Sequence, residues 1–193
     1  MQYFLTKSQL TRMENGLKAA ISIPFIDDIE DYIVEAILEY AKEIQGIDPF
    51  TNVRSKRLYD VVDPKSQIGY SVKSLKWPFK AGTESEFELV IQRADIFKKA
   101  LSLGFCHLDI NTDPQTLGAA LLTHWRIKVE EDAIFQNVDD KRIFVLLKST
   151  DNKKFAFFEE NIRLYQSDEI TWKWTDKTKT GLQGIRNEDQ MCV

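Results

Sequence analysis

Asp60 and Lys73 are the two residues whose types and positions best suit a catalytic role. Each interrupts an apolar, β-prone run within Lys56–Trp77, where a charged side chain is unusual. Because side chains of adjacent strands can approach each other, an acid and an amine here could meet at one point. Such a point suits a metal ion and an activated water. The alternative is an ordinary half-exposed strand, on which polar residues need no chemical role.

The elements that must position these two residues are a predicted pair of strands and the turn between them. Asp, Pro, Ser and Gly residues in the segment 63–69 favour a turn. The apolar positions that predict the two strands are Leu58, Val61 and Val62 in the first, and Val72, Leu75 and Trp77 in the second.

Asp60, a short turn and the triplet Ser71-Val72-Lys73 resemble the motif of the PD-(D/E)XK nucleases, the core of most type II restriction endonucleases. The resemblance implies that Asp60 binds a divalent metal ion, Mg²⁺, beside the scissile phosphate. It also implies that Lys73 steadies the attacking water. Ser71 stands where the family usually has Asp or Glu, and this departure leaves one metal ligand to be found elsewhere.

The resemblance implies two sources for additional carboxylates around the metal. Some members with Ser at the second acid position take an acid from a later helix, and Glu86 or Glu88 could supply it here. Members of the family usually also present an acid from a helix before the paired strands. Glu30 and Glu35 are the candidates for this role, and we favour Glu35. For Glu86 and Glu88 the alternative is a helix-capping acid.

Two helices are predicted before the strand pair. Residues 3–20 form the first, and the second opens after the acidic pair at 27–28 and ends between Gly46 and Pro49. Helical spacing predicts a buried stripe for the second helix at Ile26, Ile29, Ile33, Ile37, Tyr40 and Ile44. Acids of the same helix are expected on its solvated side, namely Asp28, Asp31, Glu35 and Glu39.

The remainder of the chain predicts one more long helix and several strands. The pair Asp113-Pro114 is typical of a helix start. From Lys141 onwards the pattern predicts a hairpin and a further strand over EITWKWT. We therefore expect an α/β (α+β) fold with a mixed central β-sheet flanked by helices and a restriction-endonuclease-like core. The expected organisation is one domain over 1–193, with a β-rich part at 141–193 that could contact DNA.

The segment from Thr171 to Asn187 combines positive charge with hydrogen-bonding side chains. Lysine suits phosphate groups, whereas Arg, Gln and Asn can read base edges. The predicted DNA contacts are Lys173, Lys177, Lys179, Gln183, Arg186 and Asn187. The alternative is an ordinary edge strand with a polar loop, in which the lysines limit aggregation.

Composition restricts the classes of protein that need considering. The 193 residues are 43% hydrophobic, which fits one compact domain. No run approaches the roughly 18 apolar residues of a membrane span. With only two cysteines in the chain we expect no disulfide framework and a cytoplasmic protein. The net charge of −4 hides an acidic segment at 27–48 and a basic one at 54–80, and a polyanion needs only one positive face.

These observations favour a metal-dependent endonuclease that cuts double-stranded DNA. Palindromic sites mirror two-fold proteins, so the resemblance also implies a homodimer. One alternative is a catalytically inactive nucleic-acid-binding protein of the same fold, since Ser71 replaces an acid. Another is a structural or partner-binding protein, in which the acidic helix and the basic strand pair contact other chains.

Overall fold

The structure is a computed structural model that describes residues 5–23, 28–45, 57–76, 91–92, 97–98, 101 and 108–186. Three predicted site residues, Glu86, Glu88 and Asn187, lie outside the described residues, as does Trp77. The chain divides into two compact units. The first comprises residues 1–81 and 131–162, and the second comprises residues 82–130 and 163–193. The predicted β-rich part at 141–193 is therefore shared between the two units.

Three helices and seven strands are defined in the described part of the chain. In chain order they are α1 (Lys7–Ile21), α2 (Asp31–Lys42), β1 (Val61–Asp63), β2 (Ile68–Lys76), β3 (Ile91–Gln92), α3 (Pro114–Gln136), β4 (Asp140–Lys148), β5 (Phe155–Asn161), β6 (Ile170–Trp174) and β7 (Gly181–Arg186). A short 3-10 turn, Ser167–Glu169, precedes β6.

The sheet of the first unit has the strand order β1-β2-β4-β5. Strands β1 and β2 form the predicted antiparallel hairpin, with Val61 opposite Tyr70. Strands β2 and β4 are parallel, and β4 and β5 are antiparallel. Parallel neighbours need a crossover connection, and α3 lies between β2 and β4 in the chain. The predicted mixed sheet with flanking helices is confirmed.

Helices α1 and α2 cover one face of this sheet. The side chain of Thr6 accepts a hydrogen bond from the backbone N–H of Gln9, and the side chain of Gln9 returns one, so α1 begins with a capping box. Helix α2 ends at Glu43, whose φ of 57° is left-handed. The two helices and the sheet share one apolar core, which includes Met13, Leu17, Val34, Ile37, Leu38, Val61, Tyr70, Val72, Phe144 and Leu146.

The buried side of α2 differs from the predicted stripe. Ile29, Ile37 and Ile44 are buried as predicted, but Tyr40 is 55% exposed. The buried face of α2 also includes Val34, Leu38 and Ala41, so it is wider than the predicted stripe and excludes Tyr40. The prediction that Glu35 faces solvent is wrong, because only 9% of this residue is exposed.

The second unit has a three-stranded sheet of order β3-β7-β6. Its core joins α3 to the sheet through the contact of Leu117 and Leu121 with Ile170, Trp172 and Leu182. The side-chain amide of Gln115 fixes the start of β6. Its Nε2 donates to the carbonyl of Ile170 at 2.8 Å, and its Oε1 accepts from the N–H of Trp172 at 3.2 Å.

Candidate functional site

Asp60 lies immediately before β1, at the point where the hairpin pairing ends. Its backbone N–H donates to the carbonyl of Tyr70 at 2.9 Å. Its carboxylate Oδ2 accepts a hydrogen bond from the N–H of Val72 at 2.8 Å. The side chain of Asp60 therefore extends the hydrogen bonding along this edge of β2 to Val72, two residues beyond Tyr70 of the last hairpin pair.

The structure brings Lys73 to Asp60. The Lys73 Nζ lies 3.8 Å from Asp60 Oδ2, and it also donates to the carbonyl of Val72 at 2.7 Å. The side chain of Lys73 is 48% exposed and that of Asp60 is 26% exposed. The acid and the amine thus meet at the surface, where a solvent-borne ligand can reach both.

Ser71 lies within β2 and is 4% exposed. Successive residues of a strand point to opposite faces of the sheet. Tyr70 and Val72 contribute to the core under α1 and α2, so Ser71 and Lys73 point to the opposite face. Ser71 and Lys73 therefore share a face of the sheet.

Glu30 and Glu35 are the acids that were predicted to bind the metal ion from the helix before the strand pair. Glu35 belongs to α2, and α2 packs on the face that carries Tyr70 and Val72. Glu30 is the exposed N-cap residue of α2 and makes no side-chain capping bond. The structure therefore does not bring Glu35 and Lys73 onto one face of the sheet.

Asp31 lies on the same edge of β2 as Asp60, and the sequence did not single it out. Its Oδ1 accepts a hydrogen bond from the N–H of Ser74 at 2.7 Å. Asp31 is exposed, as predicted for the outward side of the helix, and its carboxylate in addition binds the backbone of β2. No described strand pairs with β2 on this side beyond Tyr70, and the carboxylates of Asp60 and Asp31 accept hydrogen bonds from the N–H groups of Val72 and Ser74 instead.

An open pocket of about 510 Å³ adjoins Asp31. It lies where the parallel strands β2 and β4 end, and ligands of α/β sheets commonly bind at the carboxyl ends of parallel strands. Its lining residues are mostly acids, with one lysine and two hydroxyl groups: Asp28, Glu30, Asp31, Tyr32, Glu35, Ser74 and Lys148.

Lys148 is a buried lysine at the base of this pocket, and only 4% of the residue is exposed. Its Nζ lies 2.7 Å from Asp28 Oδ1 and donates to the carbonyl of Ile29. Lys76, its neighbour across the parallel pair, lies 3.0 Å from Asp28 Oδ2. A lysine at the end of the apolar run RIFVLLK was the sequence signal for this buried charge.

Two lysines control the charge state of Asp28. Partial burial raises the pKa of the Asp28 carboxyl, but hydrogen bonds from Lys148 and Lys76 lower it by more. The net pKa lies below its ordinary value of 3.8, so Asp28 is ionised at neutral pH. The charge of the buried lysine is therefore balanced inside the protein.

The fit of a metal ion to the described residues is incomplete. Magnesium sites often use one or two carboxylates together with substrate phosphates and water. Asp60 provides one carboxylate beside Lys73. Within the described residues, no group of three or more His, Cys, Asp or Glu side chains is arranged to hold a metal ion. A site with three protein carboxylates is therefore not formed by the described residues.

The predicted DNA contacts near the C-terminus fall on β6, β7 and the turn between them. Lys173 is exposed on β6 and lies opposite Gln183 of β7. Gln183 is only 7% exposed, so the prediction of a base-reading side chain at this position is not supported. Lys177 is exposed in the turn, and Arg186 is the last residue of β7.

Lys179 and Asp176 organise the turn between β6 and β7. The Lys179 Nζ donates to the carbonyl of Ile110 at 2.7 Å and lies 5.7 Å from the centre of the Trp174 ring. Hydrogen bonds from Thr178 and then Thr180 hold the pKa of Asp176 well below its ordinary value. The turn therefore keeps a negative charge beside its lysines, which reduces its net positive charge.

No family model, curated protein or solved structure matches this chain. In the described ranges, no helix has the length and apolar character needed to cross a membrane. The function must therefore be argued from the site itself.

Proposed function

We propose that this chain is a metal-dependent endodeoxyribonuclease of the PD-(D/E)XK type, which hydrolyses phosphodiester bonds in double-stranded DNA as a site-specific restriction enzyme. The observation that carries the proposal is the approach of Lys73 Nζ to Asp60 Oδ2 at 3.8 Å. Such an enzyme would act in the cytoplasm, as a homodimer on a two-fold symmetric site.

The chemistry of the two side chains supports this proposal. Asp60 offers a hard oxygen ligand of the kind that Mg²⁺ prefers. Lys73 offers a positive charge that can stabilise the charge developing on a phosphate during hydrolysis. Both are partly exposed on one edge of the sheet, so a phosphodiester in solution could approach them together. When bound, the metal would polarise the phosphate and activate a water molecule.

Asp60 and Ser71 also favour a second candidate, a nucleic-acid-binding protein without catalysis. Ser71 stands at the position of the second acid, and its hydroxyl side chain provides no carboxylate for a metal ion. Ser71 is also buried. Asp60 Oδ2 already accepts a hydrogen bond from Val72 and lies near Lys73. These two contacts give the Asp60 carboxylate a structural role, which does not require a metal ion.

A plasmid-cleavage assay with matched variants distinguishes the two candidates. The wild-type protein is incubated with plasmid and Mg²⁺ beside Asp60→Asn, Lys73→Met and the control Lys154→Ala, an exposed lysine of the β4–β5 turn. Asn at position 60 retains an oxygen that can accept from Val72, so the edge pairing persists while the charge is lost. We expect discrete fragments from the wild type and from the control. Both site variants should cut at least about 100-fold more slowly.

The outcomes of this assay separate the candidates clearly. A gel shift without cleavage by the wild type supports the binding protein, provided that the affinity falls steeply with salt. Tight binding that does not depend on salt contradicts both candidates, because phosphate contacts release counterions. Equal cleavage by the wild type and Asp60→Asn contradicts the proposed role of Asp60.

A further inference from the structure

The edge of β2 beside Lys73 is held by two carboxylates. Asp60 accepts from the N–H of Val72 at 2.8 Å, and Asp31 accepts from the N–H of Ser74 at 2.7 Å. The two amide groups are about 7 Å apart by strand geometry, and Lys73 lies between them. The backbone on each side of Lys73 is therefore fixed by one acid.

We infer that Asp31 is a positioning residue for Lys73, an inference that rests on the proposed function. Its carboxylate makes the hydrogen bond to Ser74 that a neighbouring strand would otherwise make on this edge of β2, while β4 pairs with the other edge. The position of the Lys73 ammonium depends on this backbone, because its Nζ donates to the carbonyl of Val72. A displacement of about 1 Å at a reacting group can slow a reaction by roughly 100-fold.

Three contacts fix the start of α2, where Asp31 is the first helical residue. The carbonyl of Ile29 accepts from the Ser74 hydroxyl at 3.0 Å and from the buried Lys148 amine. Lys148 also pairs with Asp28 at 2.7 Å. The helix start is therefore attached to both β2 and β4, so Asp31 is held rigidly enough to position a strand edge.

Substitution of Asp31 can separate its hydrogen bond from its charge. Asp31→Ala removes both, whereas Asp31→Asn keeps an accepting oxygen and removes only the charge. Negative charge in the first turn of a helix is stabilising, and both variants lose that contribution equally. Glu14→Ala, which removes an exposed acid of α1, is the control for general loss of helix charge.

Cleavage rates under the plasmid conditions give the first test. We expect Asp31→Ala to cut at least tenfold more slowly than the wild type, and Asp31→Asn to remain within about threefold. The control should cut at the wild-type rate. Equal losses in the two Asp31 variants, or no loss in either, would overturn the positioning role.

Nuclear magnetic resonance of the free, full-length protein gives a second test that does not depend on cleavage. In Asp31→Ala we expect fast amide exchange at Ser74 and a shifted Lys73 Cε signal, and in Asp31→Asn we expect both to resemble the wild type. An unchanged Ser74 exchange rate in Asp31→Ala would refute the inference. If the wild type cuts no DNA, the proposed nuclease activity fails, and the exchange experiment still decides the role of Asp31 at the strand edge.

Discussion

Lys148 on β4 forms an ion pair at 2.7 Å with Asp28, which lies two residues before the N-cap of α2. Lys76 completes the arrangement from the neighbouring strand, 3.0 Å from the other carboxylate oxygen. Two parallel strands are thus linked to the beginning of one helix through a single acid. The arrangement positions Asp31, and through it the edge of the candidate site.

Replacement of Asp28 by Asn should lower the free energy of unfolding by about 2 kcal/mol, the usual loss for hydrogen bonds to charged groups. The buried Lys148 would then keep the Ile29 carbonyl as its acceptor but lose its counter-charge. Urea unfolding at pH 7 measures the change. Asp151→Asn, an exposed acid in the β4–β5 turn, is the comparison. A similar loss in both variants would contradict the special role of Asp28.

The same ion pair predicts how stability depends on pH. The pKa of Asp28 is lowered in the folded protein, so the unfolded chain binds more protons between that pKa and the ordinary value of 3.8. Stability from this group is complete above about pH 4 and is lost as the pH falls through the folded pKa. Thermal unfolding from pH 6 to pH 2 should therefore show a smaller decrease for Asp28→Asn than for the wild type. An equal decrease would contradict this prediction.

Glu159 is a buried acid of the first unit, and it lies between two cations. Its carboxylate oxygens contact Lys42 at 2.8 Å and Arg142 at 2.5 Å, and its side chain is 2% exposed. Burial, followed by the charge of Glu159, raises the pKa of the adjacent Tyr70 above its ordinary value. The group thus joins α2 to β4 and β5 by charge as well as by apolar contact.

Glu159→Gln should destabilise the protein by about 3 kcal/mol, because the partly buried Lys42 and Arg142 lose their shared counter-charge. Glu160→Gln is the control, since the neighbouring Glu160 is exposed. Its effect should stay within about 0.5 kcal/mol. Urea titration followed by far-ultraviolet circular dichroism measures both variants. Comparable losses of unfolding free energy in the two variants would indicate that the ion pairs of Glu159 add little to stability.

Gly118 of α3 permits the close approach of Trp172 in the second unit. A Cβ atom at position 118 would lie 2.2 Å from Trp172 Cδ1, and Trp172 is 8% exposed. Gly118→Ala should therefore cost about 1 to 3 kcal/mol through overpacking, despite a gain of up to about 1 kcal/mol in helix propensity. Tryptophan fluorescence during urea unfolding measures the change. Ala119→Gly, one position along the helix, separates the propensity effect from the clash.

Among the predicted DNA contacts that the structure describes, Lys173 and Lys177 are exposed. If they contact DNA, Lys173→Ala with Lys177→Ala should weaken binding without changing sequence preference. The slope of log affinity against log salt should fall by about 1 for each lysine. Fluorescence anisotropy at several salt concentrations measures the slope. The paired substitution Lys153→Ala with Lys154→Ala in the first unit is the control, and an equal change there would contradict a specific DNA contact.

The sequence by itself determined the local part of the candidate site. Asp60 and Lys73 approach each other because a short turn joins their strands. The apolar pattern and the turn residues of that hairpin predicted both strands and the turn. The mixed sheet and its flanking helices followed from the same kind of pattern. These features depend on residues close in the chain, so short-range periodicity was sufficient to predict them.

Only the tertiary structure decided which acids accompany that pair. Asp31 accepts from the amide of Ser74, and Lys148 pairs with Asp28; each contact joins elements far apart in the chain, and no spacing rule predicts either one. Gln183 is buried because β7 is the central strand of its sheet, a position that its sequence did not reveal. Periodicity specifies which residues share a face, whereas packing between distant elements decides which face is covered and which charges meet.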